Sequence, residues 1–191
     1  MYFLGKCDRM DTLRQIGDMC MNLIAAADEN WAIGKDGGLL AHLPGDMKFF
    51  RETTKEKVVV MGRKTLESFP GKKPLKNRVN IVLTRNTDYA PEGVTLCGSV
   101  EEALELLKQY DSEDVFIIGG GTVYRAFLPY CKKAYITHIF HTFPADTVFP
   151  DLDREPGWKQ TKVLGTGEDN GIRYEFCLYE QQPVSDGKGG I

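Results

Sequence analysis

The sequence predicts an α/β fold: a mostly parallel sheet covered on both faces, with an antiparallel hairpin at one edge. Three observations predict it. Short β-branched runs such as KVVVMG at 57–62 and VFII at 115–118 lack polar alternation, the pattern of strands buried on both faces. Helix-compatible stretches, RKTLESF at 63–69 and TVYRAFL at 122–128, follow them closely and supply the crossovers that parallel strands need. Near the end, 158–164 and 172–180 flank a Gly-rich loop and read as a hairpin, with Tyr174, Phe176 and Leu178 on one face by period-two spacing.

In chain order, NLIAAA at 22–27 is a buried strand whose small Ala25, Ala26 and Ala27 allow close approach to the backbone. Residues 28–42 form a long loop with Gly34, Gly37 and Gly38; a functional lid and a plain surface loop both fit. Pro44 opens a helix, because its fixed φ suits the first helical position and its missing N–H is not needed there. After the strand at 57–62, the helix at 63–69 is ended by Pro70, and the loop 71–77 holds Lys72, Lys73, Leu75 and Lys76. RVNIVLT at 78–84 is a strand and 94–96 a short one. Ser99 and Glu102 then make a capping box for a helix to about 109, with Leu104 and Leu107 inward. VFII leads through Gly119-Gly120-Gly121 into the helix at 122–128, and 133–140 is a strand containing Thr137.

The length of 191 residues suits one domain with a sizeable core, and 42% hydrophobic with 27% charged residues is ordinary for a globular chain. A net charge of −3 argues against a general nucleic-acid or membrane-surface binder. Cys7, Cys20, Cys97, Cys131 and Cys177 are odd in number, widely spaced and without a C-x-x-C pair, which fits a reduced, cytoplasmic protein with no metal site. Residues 1–20 carry too many charges for a signal-peptide core and read as an extension of unassigned role. The globular unit spans 21–182, and 183–191 is a loose tail.

The candidate acid is Asp46. In the Pro44 helix, Met47 and Phe50 share a face and Asp46 lies on nearly the same side, so the carboxylate sits at the edge of an apolar wall. There it needs a partner. Asp is equally favoured in the first turn of any helix, against the dipole's positive end; the stretch alone leaves both readings open.

Three strand ends ask for an anion. At Gly62-Arg63-Lys64-Thr65, two cations oppose a helix dipole, and an anion held by backbone N–H groups and the Thr65 hydroxyl would reverse the sign; two solvated basic side chains would also fit. Thr84-Arg85 repeats the hydroxyl–guanidinium pairing. A dinucleotide lacking the extra phosphate is usually held by an acid on its ribose, whereas Arg, Lys and Thr here favour a 2′-phosphate and hence NADPH over NADH. Ile118-Gly119-Gly120-Gly121-Thr122-Val123-Tyr124 is a phosphate cradle between strand and helix. One dinucleotide lying across the strand ends explains all three.

With these residues assembled, 21–181 resembles the dihydrofolate reductase family. The resemblance runs through Asn22-Leu-Ile-Ala-Ala-Ala27, Ile33-Gly34, Leu43-Pro44 with Asp46 and Phe49-Phe50, and Met61-Gly62-Arg63-Lys64-Thr65. It continues with Arg78, Ile118-Gly119-Gly120-Gly121 with Tyr124, Tyr135-Ile136-Thr137-His138, and Asp146-Thr147 with Phe149-Pro150. It implies a single domain with an eight-stranded sheet and about four flanking helices, and NADPH-dependent reduction of 7,8-dihydrofolate to tetrahydrofolate. It also implies antifolates as ligands and, as expected here, a monomer.

Carried over, Asp46 would hold the pteridine's amidine-like edge by paired hydrogen bonds, and Thr137 would bond Asp46 or the pteridine amino group. Ile24, Ala26, Met47, Phe50, Leu75, Ile118 and Tyr124 would line the substrate slot, as plain core packing also could. Arg78 would grip the substrate's glutamate carboxylate; without the family it reads as a solvated base. Gly62, Arg63, Lys64, Thr65, Leu83, Thr84 and Arg85 would take the adenosine side of NADPH, and Gly119, Gly120, Gly121, Thr122, Val123 and Tyr124 the pyrophosphate. Ala26, Ile33 and Gly34 would flank the nicotinamide ribose, with the loop through Gly37, Gly38 and Leu39 closing over it. Where many members have Trp before Leu-Pro, this chain has Leu40-Ala41-His42, and Ala41 can neither anchor a water nor pack on substrate. A reductase of riboflavin biosynthesis and a non-catalytic NADPH-binding module are the rivals; Asp46 and Arg78 speak against the first, and the second needs no acid at the substrate edge.

Overall fold

The computed structural model describes residues 19–182 except 87 and 90. The expected tail from 183 and all but the last two residues of the expected extension lie outside them. Met19 is already buried in the core, and the Cys20 N–H donates to Ser112 Oγ at 3.2 Å, so the packed unit begins before Met21.

Ten strands and four α-helices follow in order among the described residues: β1 (Met21–Asp28), β2 (Ala32–Gly34), α1 (Pro44–Thr54), β3 (Val58–Gly62), α2 (Arg63–Ser68), β4 (Val79–Leu83), β5 (Thr95–Cys97), α3 (Val100–Leu107), β6 (Val115–Gly119), α4 (Gly121–Phe127), β7 (Cys131–Ile139), β8 (Thr147–Val148), β9 (Trp158–Asp169) and β10 (Ile172–Gln181). Eight strands form one sheet in the order β5-β4-β3-β6-β1-β7-β10-β9. The pairings from β5 to β7 are parallel, and β10 runs antiparallel to both β7 and β9.

The unbroken apolar runs are unbroken because both faces are covered. Along β3, Val58 and Val60 enter one core while Val59 and Met61 enter the other; β6 repeats this with Val115 and Ile117 against Phe116 and Ile118. Ala103, Leu104 and Leu107 of α3 and Val123 and Phe127 of α4 close the first face, and Phe49 and Phe50 of α1 with Leu66 of α2 close the second. Each fully buried aliphatic side chain stabilises the fold by about 1.5–3 kcal/mol.

Three expectations change. The loop 28–42 contains β2, which pairs with β8, because Asp28 at the end of β1 is fully buried and organises it. Asp28 Oδ1 accepts from the N–H groups of Asn30 and Ala32 at 2.8 and 2.9 Å, and Oδ2 from that of Phe143 at 2.9 Å. The hairpin has no Gly-rich loop: β9 runs on to Asp169, and Asn170-Gly171, both at positive φ (55° and 76°), turn the chain. That is the two-residue turn whose twist suits a hairpin. Tyr174 and Phe176 do share a face, but Cys177 and Tyr179 are buried on the other, so the strand is covered on both sides. The capping box also closes one residue early: Ser99 Oγ accepts from Glu102 N, while Glu102 Oε2 accepts from Gly98 N rather than Ser99 N.

Candidate active site

Pro44 is the first residue of α1, and Asp46 falls in the first turn, half-buried. Its carboxylate is not spent on its own helix end. Asp46 Oδ1 accepts the Thr137 hydroxyl at 2.6 Å, and Thr137 is only 1% exposed on the central strand β7. Burial holds the Asp46 carboxyl above its ordinary range, the Thr137 bond opposes that, and the negative Asp169 nearby pushes the same way as burial. A carboxyl raised by burial and tied to a specific buried partner is a functional-site candidate.

Apolar residues surround it unevenly. Phe50 and Leu75 pack with Ile24 and Ile118 in the second core, whereas Met47 stays 44% exposed beside the acid. Arg78 is not a solvated base. It is half-buried, with Nε donating to Thr54 Oγ1 at 2.9 Å, Nη1 to the Lys76 carbonyl at 2.8 Å and Nη2 to that of Arg51 at 3.0 Å. The guanidinium has five N–H groups, so two remain for an incoming carboxylate. Burial, then the Arg51 charge, lowers its proton affinity. Buried Asn80 fixes the loop before it, accepting from Leu75 N and donating to the Leu75 and Arg78 carbonyls.

At the carboxyl ends of β1, β3, β4 and β6 lies a cavity of about 1130 Å³. Ligands of open α/β sheets bind at that edge. It is lined by Ala26, Ile33, Gly34, Gly38, Leu39, Gly62, Arg63, Lys64, Thr65, Leu83, Thr84, Arg85 and Gly119 through Tyr124, so every residue expected on the cofactor side is brought together. Ile24, Asp46, Met47, Phe50, Leu75, Arg78 and Thr137 do not line it. The two parts meet at Ala26, Ile118 and Tyr124: Ile118 packs with Ile24, Phe50 and Leu75, and Ala26 stands in register with Thr137. Tyr124 lines the cavity but is buried and commits its hydroxyl to the Ile24 carbonyl at 2.7 Å. Burial, then the nearby Asp46 charge, raises its pKa.

The cavity is built for an anion. Gly119 sits at φ 123°, a backbone that side chains rarely adopt, and α4 starts two residues on at Gly121, with Gly120 as its N-cap accepting from Val123 N and Tyr124 N, so the Gly121 and Thr122 N–H groups have no intrahelical partner. Among the described residues neither Lys64 nor Arg85 has an ion-pair partner, while Arg63 binds Glu67 at 2.8 Å and lies over the Tyr89 ring. Over the mouth, Leu39 is 71% exposed at the end of a fastened loop. Asp36 N donates to Asp146 Oδ2 at 2.8 Å, Asp146 N to the Gly34 carbonyl at 3.1 Å, and Lys35 and Gly38 exchange two backbone bonds. The Asp36 N–H, and after it the Thr147 hydroxyl donating to Oδ1 at 2.8 Å, hold the Asp146 carboxyl below its usual range.

The sequence reading missed Asp36, Ser68, Gly98, Ser99, Val100, Glu101, Ala126, Asp146 and Thr147 on the cavity, along with Ala25 as a lining residue. The Ser99 capping box was a signal, since it starts a helix at another strand's carboxyl end. Asn80 and Asp169 carried no local sign.

The family model for dihydrofolate reductase matches residues 20–181. Dihydrofolate reductase of Bacillus subtilis is 39% identical over 171 residues, covering 88% of this chain and 99% of that protein. The type 3 enzyme of Salmonella typhimurium is 42% identical over 166 residues, 86% and 99% of the two chains. Among solved structures, dihydrofolate reductase from Enterococcus faecalis complexed with NADP(H) and RAB-propyl superposes with a TM-score of 0.76 at 40% identity, covering 86% of this chain and 97% of that one. By the matched family model and by relatives aligned nearly end to end, this chain belongs to the dihydrofolate reductase family.

Proposed function

We propose that this chain reduces 7,8-dihydrofolate to 5,6,7,8-tetrahydrofolate, with Asp46 as the acid at the pteridine and the strand-end cavity holding NADPH, so supporting one-carbon and thymidylate metabolism. The carrying observation is Asp46 itself: a half-buried carboxylate tied at 2.6 Å to buried Thr137 rather than to its own helix end, where Thr137 stands in register with Ala26 on the wall of a cavity that Lys64 and Arg85 also line.

The residues present fit the cofactor. Lys64 and Arg85 with Thr65 and Thr84 suit the 2′-phosphate, and the turn at Gly119, Gly120 and Gly121 leaves room for a pyrophosphate. NADPH, when bound, supplies the hydride for pteridine C6. The chain supplies alignment and charge. Asp46 accepts two hydrogen bonds from the amidine-like edge, which fixes the ring's direction, and its negative charge favours cationic character there. A water delivers the proton to N5. Ile24, Phe50, Leu75 and Ile118 supply an apolar wall, Arg78 takes the glutamate carboxylate, and the loop over Gly37, Gly38 and Leu39 excludes water. In this reading the chain acts as a cytoplasmic monomer on small molecules, without nucleic-acid or membrane partners.

Loss of NADPH absorbance on adding dihydrofolate to the purified chain is the expected result. Oxidation only with a ribosylamino-pyrimidine would favour the riboflavin-pathway reading, and NADPH binding with neither substrate consumed would leave a binding module.

A further inference from the structure

The geometry points to Asp169 and Tyr174, on the terminal hairpin, as positioning residues for Asp46: they cap the acid-bearing helix from another part of the chain and place a second negative charge beside the acid. This rests on the reading of Asp46 as the group that grips substrate.

The N-terminus of α1 has no local cap, since Leu43 precedes Pro44 and offers no side-chain acceptor. An uncapped helix start leaves backbone N–H groups without partners. Asp169 Oδ2 fills this role by accepting from Gly45 N at 2.8 Å, one residue before Asp46, across 124 positions of sequence. The same oxygen accepts the Tyr174 hydroxyl at 2.7 Å, which fixes the carboxylate's direction. Asn170 adds a contact from its Nδ2 to the His42 carbonyl at 3.4 Å. The hairpin tip therefore meets the start of α1 on both sides of Leu43-Pro44.

Two glycines permit this docking. A side chain at Gly45 would overlap the Tyr174 hydroxyl, and one at Gly167, opposite Tyr174 in the hairpin register, would strike its ring. The Asn170-Gly171 turn sets the register that places Asp169 opposite Ile172, so the cap's position is built into the strand pairing.

The charge matters as well as the bond. The groups facing Asp46 are Asp169 from β9, Tyr174 from β10, Tyr124 from α4 and the neutral Thr137 hydroxyl from β7. The charge of Asp169 bears on the acid, and like charge favours its protonated form. Burial and the adjoining Asp169 push the Tyr174 phenol up to about 12, so it stays a donor across working pH.

The test compares D169N, D169A and Y174F in the full chain with NADPH present. It reads the pH dependence of turnover and the titration of the Asp46 carboxyl by carbon NMR, assigned with D46N. D169N keeps an acceptor for Gly45 N–H and removes only charge: the Asp46 titration and the matching limb of the profile move to lower pH, with melting temperature and NADPH affinity kept. D169A makes the same pH shift and also loses about tenfold in kcat/KM for dihydrofolate, because the helix start is no longer held. Y174F keeps the charge and leaves the limb in place while raising KM for dihydrofolate. An Asp46 titration unmoved in D169N, or a D169A loss matched by lost folded protein with no shift, would overturn the proposal. A wild-type chain inert to dihydrofolate would instead overturn the reading of Asp46.

Discussion

Replacing Asp46 by Asn separates the demands of stability from those of function. The Asp46 carboxyl is held above its ordinary range, chiefly by burial. In the window between its unfolded and folded values the native state therefore binds more protons than the unfolded state, and stability falls as pH rises through it. Above that window the ionised acid costs stability. Asn at this site still accepts the Thr137 hydroxyl, so the 2.6 Å contact survives as a neutral bond, weaker by about 1 kcal/mol. Against that stands relief of a partly buried charge, several kcal/mol for a fully buried one and less here, so a net gain of about 1–2 kcal/mol is expected at neutral pH. For a domain of this size that raises Tm by roughly 2–8 °C. Thermal melts of both proteins from pH 4 to pH 8 check it: the curves coincide at the acid end and separate as pH rises, while dihydrofolate-dependent turnover in the variant falls about a hundredfold or more. An Asn variant less stable than wild type at every pH, or one that keeps turnover, would refute the reasoning.

Three further outcomes follow from the same geometry. Arg78→Lys loses the planar fork and its Thr54, Lys76 and Arg51 bonds, so KM for dihydrofolate rises about 10- to 100-fold in steady-state assays with NADPH affinity unchanged. Lys64→Gln with Arg85→Gln removes two cations of the cavity that have no ion-pair partner among the described residues; calorimetric titration with NADPH and NADH should show the preference for NADPH reduced about tenfold or more, and an unchanged ratio would place the 2′-phosphate elsewhere. Asn80→Leu leaves the Leu75 amide and two carbonyls unpaired, costing about 2–4 kcal/mol by denaturant unfolding, and loosens the segment leading to Arg78.

The sequence by itself determined what local chemistry controls. β-Branched runs specify strands and Pro44 a helix start, because each responds to its own neighbours. Glycines, threonines and cations at Gly62, Thr84 and Gly119 mark element junctions, and parallel pairing carries every such junction to one edge of the sheet, so the residues that line the cavity there were legible in the sequence. The Asn170-Gly171 signal was also present and was masked by neighbouring glycines at 165 and 167. Tertiary structure alone decided which distant groups meet. Whether Asp46 serves as a first-turn acid or a site acid depends on Thr137, 91 positions away, and on Asp169 taking over the cap; whether Arg78 is solvated or wired depends on Thr54 and two carbonyls. Hydrogen bonds of this kind are short-ranged in space and blind to distance along the chain, so only the closed sheet and its register can choose the partners.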